Sequence, residues 1–270
     1  STVEFCVAGV CVLNDRKMTM LGRLQSQRFL RRMVEAGCTI AIVETTSEGY
    51  LQYRHRFINY DIMVLTNLYP EHLEAHGGFE NYKAAKLGIF RHVADSPPKL
   101  RLPRSFSRVN RNTGKVAIVN GESEYADEFL AFSFDKKIKY TASDALPTSV
   151  LGEHTPINIA AALTVAREIG VAESVLQRTA GQCKGVPGRI ELIPEAEEHG
   201  FQVIVDYAFE PVAMEALYKV VEKFAPKRII HVLGSCGGGR DVAARSVKGR
   251  FVAEYADIVI VTNEDPYDDD

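Results

Sequence analysis

The chain has 270 residues, a net charge of -3 and a charged fraction of 25%, so it offers no strongly basic surface for a nucleic acid. No apolar run approaches the roughly 18 to 20 residues of a membrane span, and no signal peptide opens the chain. The five cysteines include no C-x-x-C pair, which predicts neither a disulfide framework nor a zinc site and favours a cytoplasmic location.

The first predicted elements are strands followed by a helix. Residues 3–13 predict strands joined by a small turn, and residues 24–36 predict a helix with one apolar face, stopped by Gly37. The apolar run CTIAIVE at 38–44 then predicts a strand that ends on a carboxylate.

The stretch 62–86 is the most informative part of the sequence. Residues 62–65 predict a short buried strand, and residues 80–93 predict a helix. Between them lies a polar loop that carries Thr66, Asn67, Glu71, His72, Glu74 and His76. Ligands of open parallel sheets bind at the carboxyl ends of the strands. The loop therefore indicates a metal or phosphate site, with a solvated loop of ordinary charges as the alternative.

The rest of the chain continues the alternation of strands and helices. After a loop at 94–115, the predicted elements are strands within 115–129, 132–144, 201–211 and 256–262, and helices at 158–168 and 214–224. This order predicts an α/β fold with a mainly parallel sheet, followed by part of a Rossmann-like domain. The turn-rich stretch GVPGRIELI at 185–193 suggests the boundary, so we expect domains at 1–186 and 187–270.

The sequence TNLYPEHLEAHGGFENYKAAK at 66–86 resembles the central-domain motif T-N-x-x-x-(D/E)-H-(L/M)-(D/E)-x-H-G…Y-x-x-A-K of the Mur ligases. The resemblance implies that His72 helps to hold a magnesium ion and that Lys86 is carbamylated and supports a second one. It also makes Glu44 a magnesium ligand. A carbamate would give magnesium the hard oxygen that it prefers. Without the resemblance, Lys86 would be interpreted as a solvated helix lysine.

Two further stretches resemble substrate-binding segments of the same family. ETTSEGYLQYRH at 44–55 resembles E-V-S-S-H-G-L-x-Q-x-R, which implies that Thr46, Gln52 and Arg54 hold a UDP-muramoyl peptide. MTMLGR resembles T-T-x-x-G and adds Thr19. An arginine suits this acidic ligand because its planar fork grips a carboxylate or phosphate with two hydrogen bonds.

The resemblance also implies residues near ATP and near the incoming amino acid. Asn158 matches an asparagine that reaches the adenine, Arg189 lies in the match to G-V-P-G-R-M-E near the phosphates, and Asp206 lies in the match to V-D-Y-A-H-T-P near the ribose. Arg240 is placed to meet an anion, and Asp265 falls in the family's D-D-N-P-R segment. Because that segment departs from the family here, the amino acid that is added stays open.

The implied function is ATP- and Mg2+-dependent formation of an amide bond in peptidoglycan precursor synthesis. A third amino acid, diaminopimelate or a similar one, would join UDP-MurNAc-L-Ala-D-Glu through an acyl phosphate, in a monomeric enzyme. The pattern G-x-x-G-K-[ST] does not occur, so we expect an internal fragment of a ligase that is inactive by itself. The alternatives are a folylpolyglutamate synthase-like or cyanophycin synthetase-like ligase, or a non-catalytic binding fragment.

Overall fold

The structure is a computed structural model that describes residues 3–16, 18–69, 76–99, 114–209, 211–235, 237 and 242–264. The chain divides into two compact units. The first contains Ser1–Leu146 and Pro156–Arg178, and the second contains Pro147–Thr155 and Thr179–Asp270. The predicted α/β class is confirmed, since parallel strand pairs alternate with helices.

An antiparallel hairpin opens the first unit, as predicted. Strand β1 (Glu4–Val7) pairs with β2 (Val10–Leu13), and the two turn residues between them have φ of 50° and 84°. Two residues in the left-handed region make the tight hairpin turn that matches strand twist. The resulting register sets Cys6 opposite Cys11, and the two form a disulfide. The expectation of no disulfide was wrong, because their pairing depends on turn geometry and not on a spacing motif.

In the next segment the predicted helix is confirmed and the predicted strand is wrong. Helix α1 (Arg23–Glu35) ends as predicted, with Gly37 at φ 77°. Residues 38–44 form no strand, and the Ile42 side chain is 90% exposed. A strand requires a hydrogen-bonded neighbour. No strand of the described residues pairs with this segment, so its apolar sequence alone does not make it extended sheet. The short helix α2 (Ser47–Leu51) follows.

A three-stranded parallel sheet forms the centre of the first unit. Strands β3 (Ile62–Leu65), β4 (Val116–Asn120) and β5 (Lys136–Tyr140) lie in that order, which confirms the strands predicted in these stretches. The helices of this unit include α3 (Phe79–Asp95), α4 (Ala126–Leu130), α5 (Thr155–Glu168, which begins in the second unit) and α6 (Glu173–Gly181, which ends in the second unit), and a 3-10 turn spans Ala142–Asp144. Helices α3 and α5 contain the two helices predicted there.

The sheet is covered on both faces. Ala117 and Val119 of β4 pack in a cluster with Phe90 of α3 and Phe129 of α4. The alternate residues Val116 and Ile118 pack with Tyr140, Ala160 and Ala161. All five β4 residues are buried, which is typical of a parallel strand between two helical layers. The core thus fixes the carboxyl end of β3, from which the chain continues into the predicted polar loop.

The second unit contains two small sheets. Strands β6 (Glu191–Leu192) and β7 (Ile204–Val205) are antiparallel, and a 3-10 segment, Pro194–His199, connects them. Helix α7 (Pro211–Glu222) then leads to β8 (Ile230–Leu233), α8 (Val242–Tyr255) and β9 (Ile258–Val261), with β8 and β9 parallel. The strand predicted within 201–211 is confirmed for two residues only. Within the described ranges, no helix combines the length and the apolar character that a membrane crossing needs.

Candidate functional site at the carboxyl ends of the sheet

Side chains from β4 and β5 fix the chain where it leaves β3. The Tyr140 hydroxyl donates to the Leu65 carbonyl at 3.0 Å, and the Asn120 amide donates to the Thr66 carbonyl at 2.9 Å. The side-chain oxygen Oδ1 of Asn120 accepts a hydrogen bond from the Glu122 N–H at 2.9 Å. Burial, and secondarily the nearby charge of Glu122, raises the pKa of Tyr140 to about 12. The phenol therefore stays protonated and keeps donating at neutral pH.

Lys86 reaches the chain that leaves β3. Its Nζ lies 3.4 Å from the Asn67 carbonyl and 5.0 Å from the centre of the Tyr82 ring. Helix α3 begins after Gly78, whose φ of 124° is a conformation that L side chains rarely adopt. One turn before Lys86, Lys83 instead pairs with carboxylates of Glu80 and Glu128 at 3.2 and 3.4 Å. The structure thus brings Lys86 to the predicted loop. His72 lies outside the described residues.

The loop after β3 is also joined to the start of α2. The Ser47 hydroxyl and His76 Nε2 lie 3.1 Å apart, and both side chains are buried. Next to Ser47, the Thr46 side chain caps α2 by accepting from the Gly49 N–H at 3.0 Å. Glu44 is exposed two residues before this cap. The buried hydrogen bond therefore ties the segment that carries Glu44 and Thr46 to the segment that precedes α3.

The predicted peptide-binding residues gather around α2. The Arg54 guanidinium donates to the Met20 carbonyl and to the side-chain oxygen of Gln52. Met20 is 2% exposed, and a Cβ added to Gly49 would lie 2.5 Å from the Met20 sulfur. Thr19 immediately precedes Met20, so its loop lies against α2. Both acceptors of Arg54 are neutral, so neither of them compensates its charge, and the guanidinium can still attract an acidic ligand.

The predicted nucleotide residues fall in both units. Asn158 is exposed in the first turn of α5, in the first unit. In the second unit, the Arg189 guanidinium lies 5.0 Å from the centre of the Tyr207 ring, and the Asp206 carboxylate accepts from the Ile190 N–H at 2.7 Å. Arg189 and Asp206 therefore lie on adjoining segments of the chain. Arg240 and Asp265 lie outside the described residues.

The candidate oxygen donors suit a divalent cation only if Lys86 takes one particular chemical form. Magnesium prefers hard oxygen ligands, which the Glu44 carboxylate and the Asn67 carbonyl could supply. The amine of Lys86 would join them only as a carbamate, which carries a carboxylate-like group. The residues present therefore fit magnesium if Lys86 is carbamylated.

Sequence analysis missed Tyr140 and the Ser47–His76 hydrogen bond. Tyr140 ends an ordinary strand, and nothing local indicates that its hydroxyl reaches a carbonyl 75 positions away. The two histidines of the loop look equivalent in the sequence. A buried position for the second, His76, follows only from the packing of α2 against α3.

The chain matches two family models. The Mur ligase middle domain matches residues 2–166, and the Mur ligase glutamate ligase domain matches residues 188–270. A UDP-N-acetylmuramyl-tripeptide synthetase of Borreliella afzelii (strain PKo) is 32% identical over an alignment of 278 positions, which covers 96% of this chain and 53% of that protein. The chain thus spans about half the length of the curated relatives that it matches.

Solved structures show the same fold. A UDP-N-acetylmuramoyl-L-alanyl-D-glutamate--2,6-diaminopimelate ligase superposes with a TM-score of 0.62 at 24% identity, over 97% of this chain and 55% of that one. A Mycobacterium tuberculosis folylpolyglutamate synthase complexed with ADP and AMPPCP superposes with a TM-score of 0.59 at 18% identity, over 89% of this chain and 59% of that one. At these identities the likeness concerns the fold, whereas the middle-domain model covers more than half of the chain. The chain therefore belongs to the Mur ligase family.

Proposed function

We propose that this chain carries the ligase site of an ATP-dependent enzyme that adds the third amino acid to UDP-MurNAc-L-Ala-D-Glu. The observation that carries the proposal is the position of Lys86, whose Nζ lies on the Asn67 carbonyl at the carboxyl end of β3. Ligands bind at this edge in open parallel sheets. The tripeptide synthetases and the diaminopimelate ligase that the chain resembles are named for this reaction.

The reaction must make a poor electrophile reactive. The D-Glu carboxylate would take the γ-phosphoryl group of ATP, releasing ADP and giving an acyl phosphate. The amine of the incoming amino acid would then attack the acyl carbon and expel phosphate, forming the amide and losing a proton. Magnesium, when bound, would neutralise charge on the transferring phosphoryl group.

Residues of the first unit would bind magnesium and the muramoyl peptide. Glu44, His72 and carbamylated Lys86 would hold magnesium at the sheet edge. Arg54 would pair with an acidic group of the muramoyl peptide, and Thr19, Thr46 and Gln52 would orient that peptide. The Ser47–His76 hydrogen bond supports this assignment of roles, because it connects the segment that carries Glu44 to the segment that precedes α3.

The remaining candidate residues concern the nucleotide and the incoming amino acid. We propose that Asn158 meets the adenine, that Arg189 and Asp206 lie near the phosphates and ribose, and that Arg240 and Asp265 meet the incoming amino acid. Diaminopimelate or a similar amino acid is the proposed substrate. We further propose a monomeric, cytoplasmic enzyme.

The test uses the complete open reading frame that encodes this chain. The purified product is incubated with ATP, Mg2+, UDP-MurNAc-L-Ala-D-Glu and a panel of amino acids, and products are identified by mass spectrometry. We expect phosphate release that requires the muramoyl dipeptide, together with a product whose mass corresponds to one added amino acid. Turnover only with a folate or a cyanophycin primer, or no turnover with any amino acid, would contradict the proposal.

A further inference from the structure

The Cys6–Cys11 disulfide lies on one face of the N-terminal hairpin. Phe5 packs against Phe29 of α1, with tilted rings whose centres are 5.2 Å apart. Because side chains alternate along a strand, Glu4 and Cys6 lie on the opposite face of β1. Glu4, Cys6 and Cys11 are all exposed, so this face is accessible to solutes.

The same face brings three metal-ligand atoms together. The Cα atoms of Cys6 and Cys11 are 4.1 Å apart, which corresponds to the close spacing of pairs without mutual backbone hydrogen bonds. Glu4 lies two residues before Cys6, and its Oε1 is 3.4 Å from the Cys6 sulfur. The two sulfurs and a carboxylate oxygen all lie within 4.8 Å of one another. Within the described part of the chain, this trio alone brings three such groups so close.

We propose that reduction of the Cys6–Cys11 disulfide converts this face into a site for a thiophilic divalent cation, with Zn2+ as the favoured ion. Two thiolates and one carboxylate match the donors of tetrahedral zinc, and water would fill the fourth position. Zinc–sulfur bonds of about 2.3 Å in a tetrahedron place the two sulfurs about 3.8 Å apart. Side-chain rotation supplies this separation, while the hairpin register keeps the two cysteines opposite each other.

An external dithiol can reduce the Cys6–Cys11 disulfide by thiol–disulfide exchange. A thiolate of the dithiol attacks one protein sulfur, giving a mixed disulfide and a free cysteine thiolate. The second thiol of the reagent resolves the mixed disulfide, so the reagent is oxidised and the protein gains two electrons and two protons. Binding of the cation then releases those two thiol protons. Oxidation of the cysteines would expel the ion. This site is independent of the proposed ligase function.

The test uses Co2+ as a coloured substitute for Zn2+. The chain is reduced with a dithiol, freed of the reagent anaerobically, and titrated with Co2+ while absorbance and proton release are recorded. We expect one equivalent bound with thiolate-to-cobalt charge transfer, about two protons released, and displacement by Zn2+. The oxidised chain should show no such band.

Matched variants separate this pair from the other cysteines. The double variant Cys6→Ser/Cys11→Ser should lose the band, whereas the triple variant Cys38→Ser/Cys183→Ser/Cys236→Ser should keep it. Glu4→Gln should weaken binding about tenfold or more while keeping the thiolate band, since only the oxygen ligand changes. Failure of the reduced chain to bind, or equal binding by the double variant, would overturn the proposal. Circular dichroism confirms that each variant is folded.

Discussion

Strand β4 and the segment 38–44 have similar sequences and opposite structures. Val116–Asn120 reads VAIVN, lies between two strands and is buried at every position. Residues 39–43 read TIAIV, pair with no strand in the described ranges, and leave Ile42 90% exposed. The comparison teaches that apolar, β-branched composition is only a preference. Hydrogen-bonding neighbours and helices on both faces decide whether it becomes a core strand.

The largest expected effect compares one isoleucine from each region. Ile118→Ala should lower the free energy of unfolding by about 2–5 kcal/mol, because Ile118 is 0% exposed and its loss leaves a cavity. Ile42→Ala should change it by at most about 0.5 kcal/mol, as for an exposed side chain. Urea unfolding of both variants measures the difference. Equal losses would mean that residues 38–44 are buried in solution, contrary to this description.

The second effect tests the hydrogen bond between Tyr140 and the Leu65 carbonyl at the end of β3. Tyr140→Phe removes the donor to the Leu65 carbonyl and should cost about 1–3 kcal/mol, the penalty for a buried unpaired group. Tyr53→Phe is the matched control, because Tyr53 is 52% exposed. Urea unfolding at neutral pH compares the two variants. If Tyr140→Phe lowers the free energy of unfolding no more than the control does, the Tyr140–Leu65 hydrogen bond does not stabilise the end of β3.

The third effect is a loss of stability in acid at the α2–α3 contact. Burial, and then the charges of His92 and Arg56, lowers the pKa of His55, while the Gly49 carbonyl opposes them. Its folded pKa is below the roughly 6.5 of an unfolded chain, so the unfolded state binds more protons. The stabilisation is therefore present above about pH 6.5 and lost as pH falls through the folded pKa, with a slope of at most about 1.4 kcal/mol per pH unit.

His55→Gln should flatten this slope between pH 7 and the folded pKa, whereas the same change at exposed His199 serves as control. Unfolding curves at successive pH values give the slope directly. If His55→Gln leaves it unchanged, another group causes the acid sensitivity.

The smallest effect concerns α1, which follows the hairpin. Arg31 and Glu35 form an exposed ion pair of 2.8 Å one turn apart. Solvent screens such pairs, so Glu35→Gln should produce no measurable change in the urea midpoint. A clear shift would indicate that α1 is more shielded from water than its exposure suggests.

The sequence predicted local elements well and long-range pairing poorly. Strands β3, β4 and β5 and helix α3 were predicted because hydrophobic periodicity and glycine stops are local signals. The strand predicted at 38–44 was wrong because the sequence of this segment does not reveal whether a neighbouring strand is present to pair with it. The Cys6–Cys11 bond was missed because register depends on the turn. Lys86 could be singled out by its family motif, but the Tyr140 and His76 contacts follow only from tertiary packing.

The most direct test of the proposed ligase site compares two lysines one turn apart on α3. Lys86 contacts the Asn67 carbonyl, whereas Lys83 pairs with Glu80 and Glu128. In the protein from the complete open reading frame, Lys86→Ala should lower kcat for muramoyl-tripeptide formation by about 100-fold or more, as expected when transition-state charge stabilisation is lost. Added acetate should restore part of the rate by replacing the carbamate, and Lys83→Ala should stay near the wild-type rate. Full activity of Lys86→Ala, or equal losses in both variants, would contradict the account.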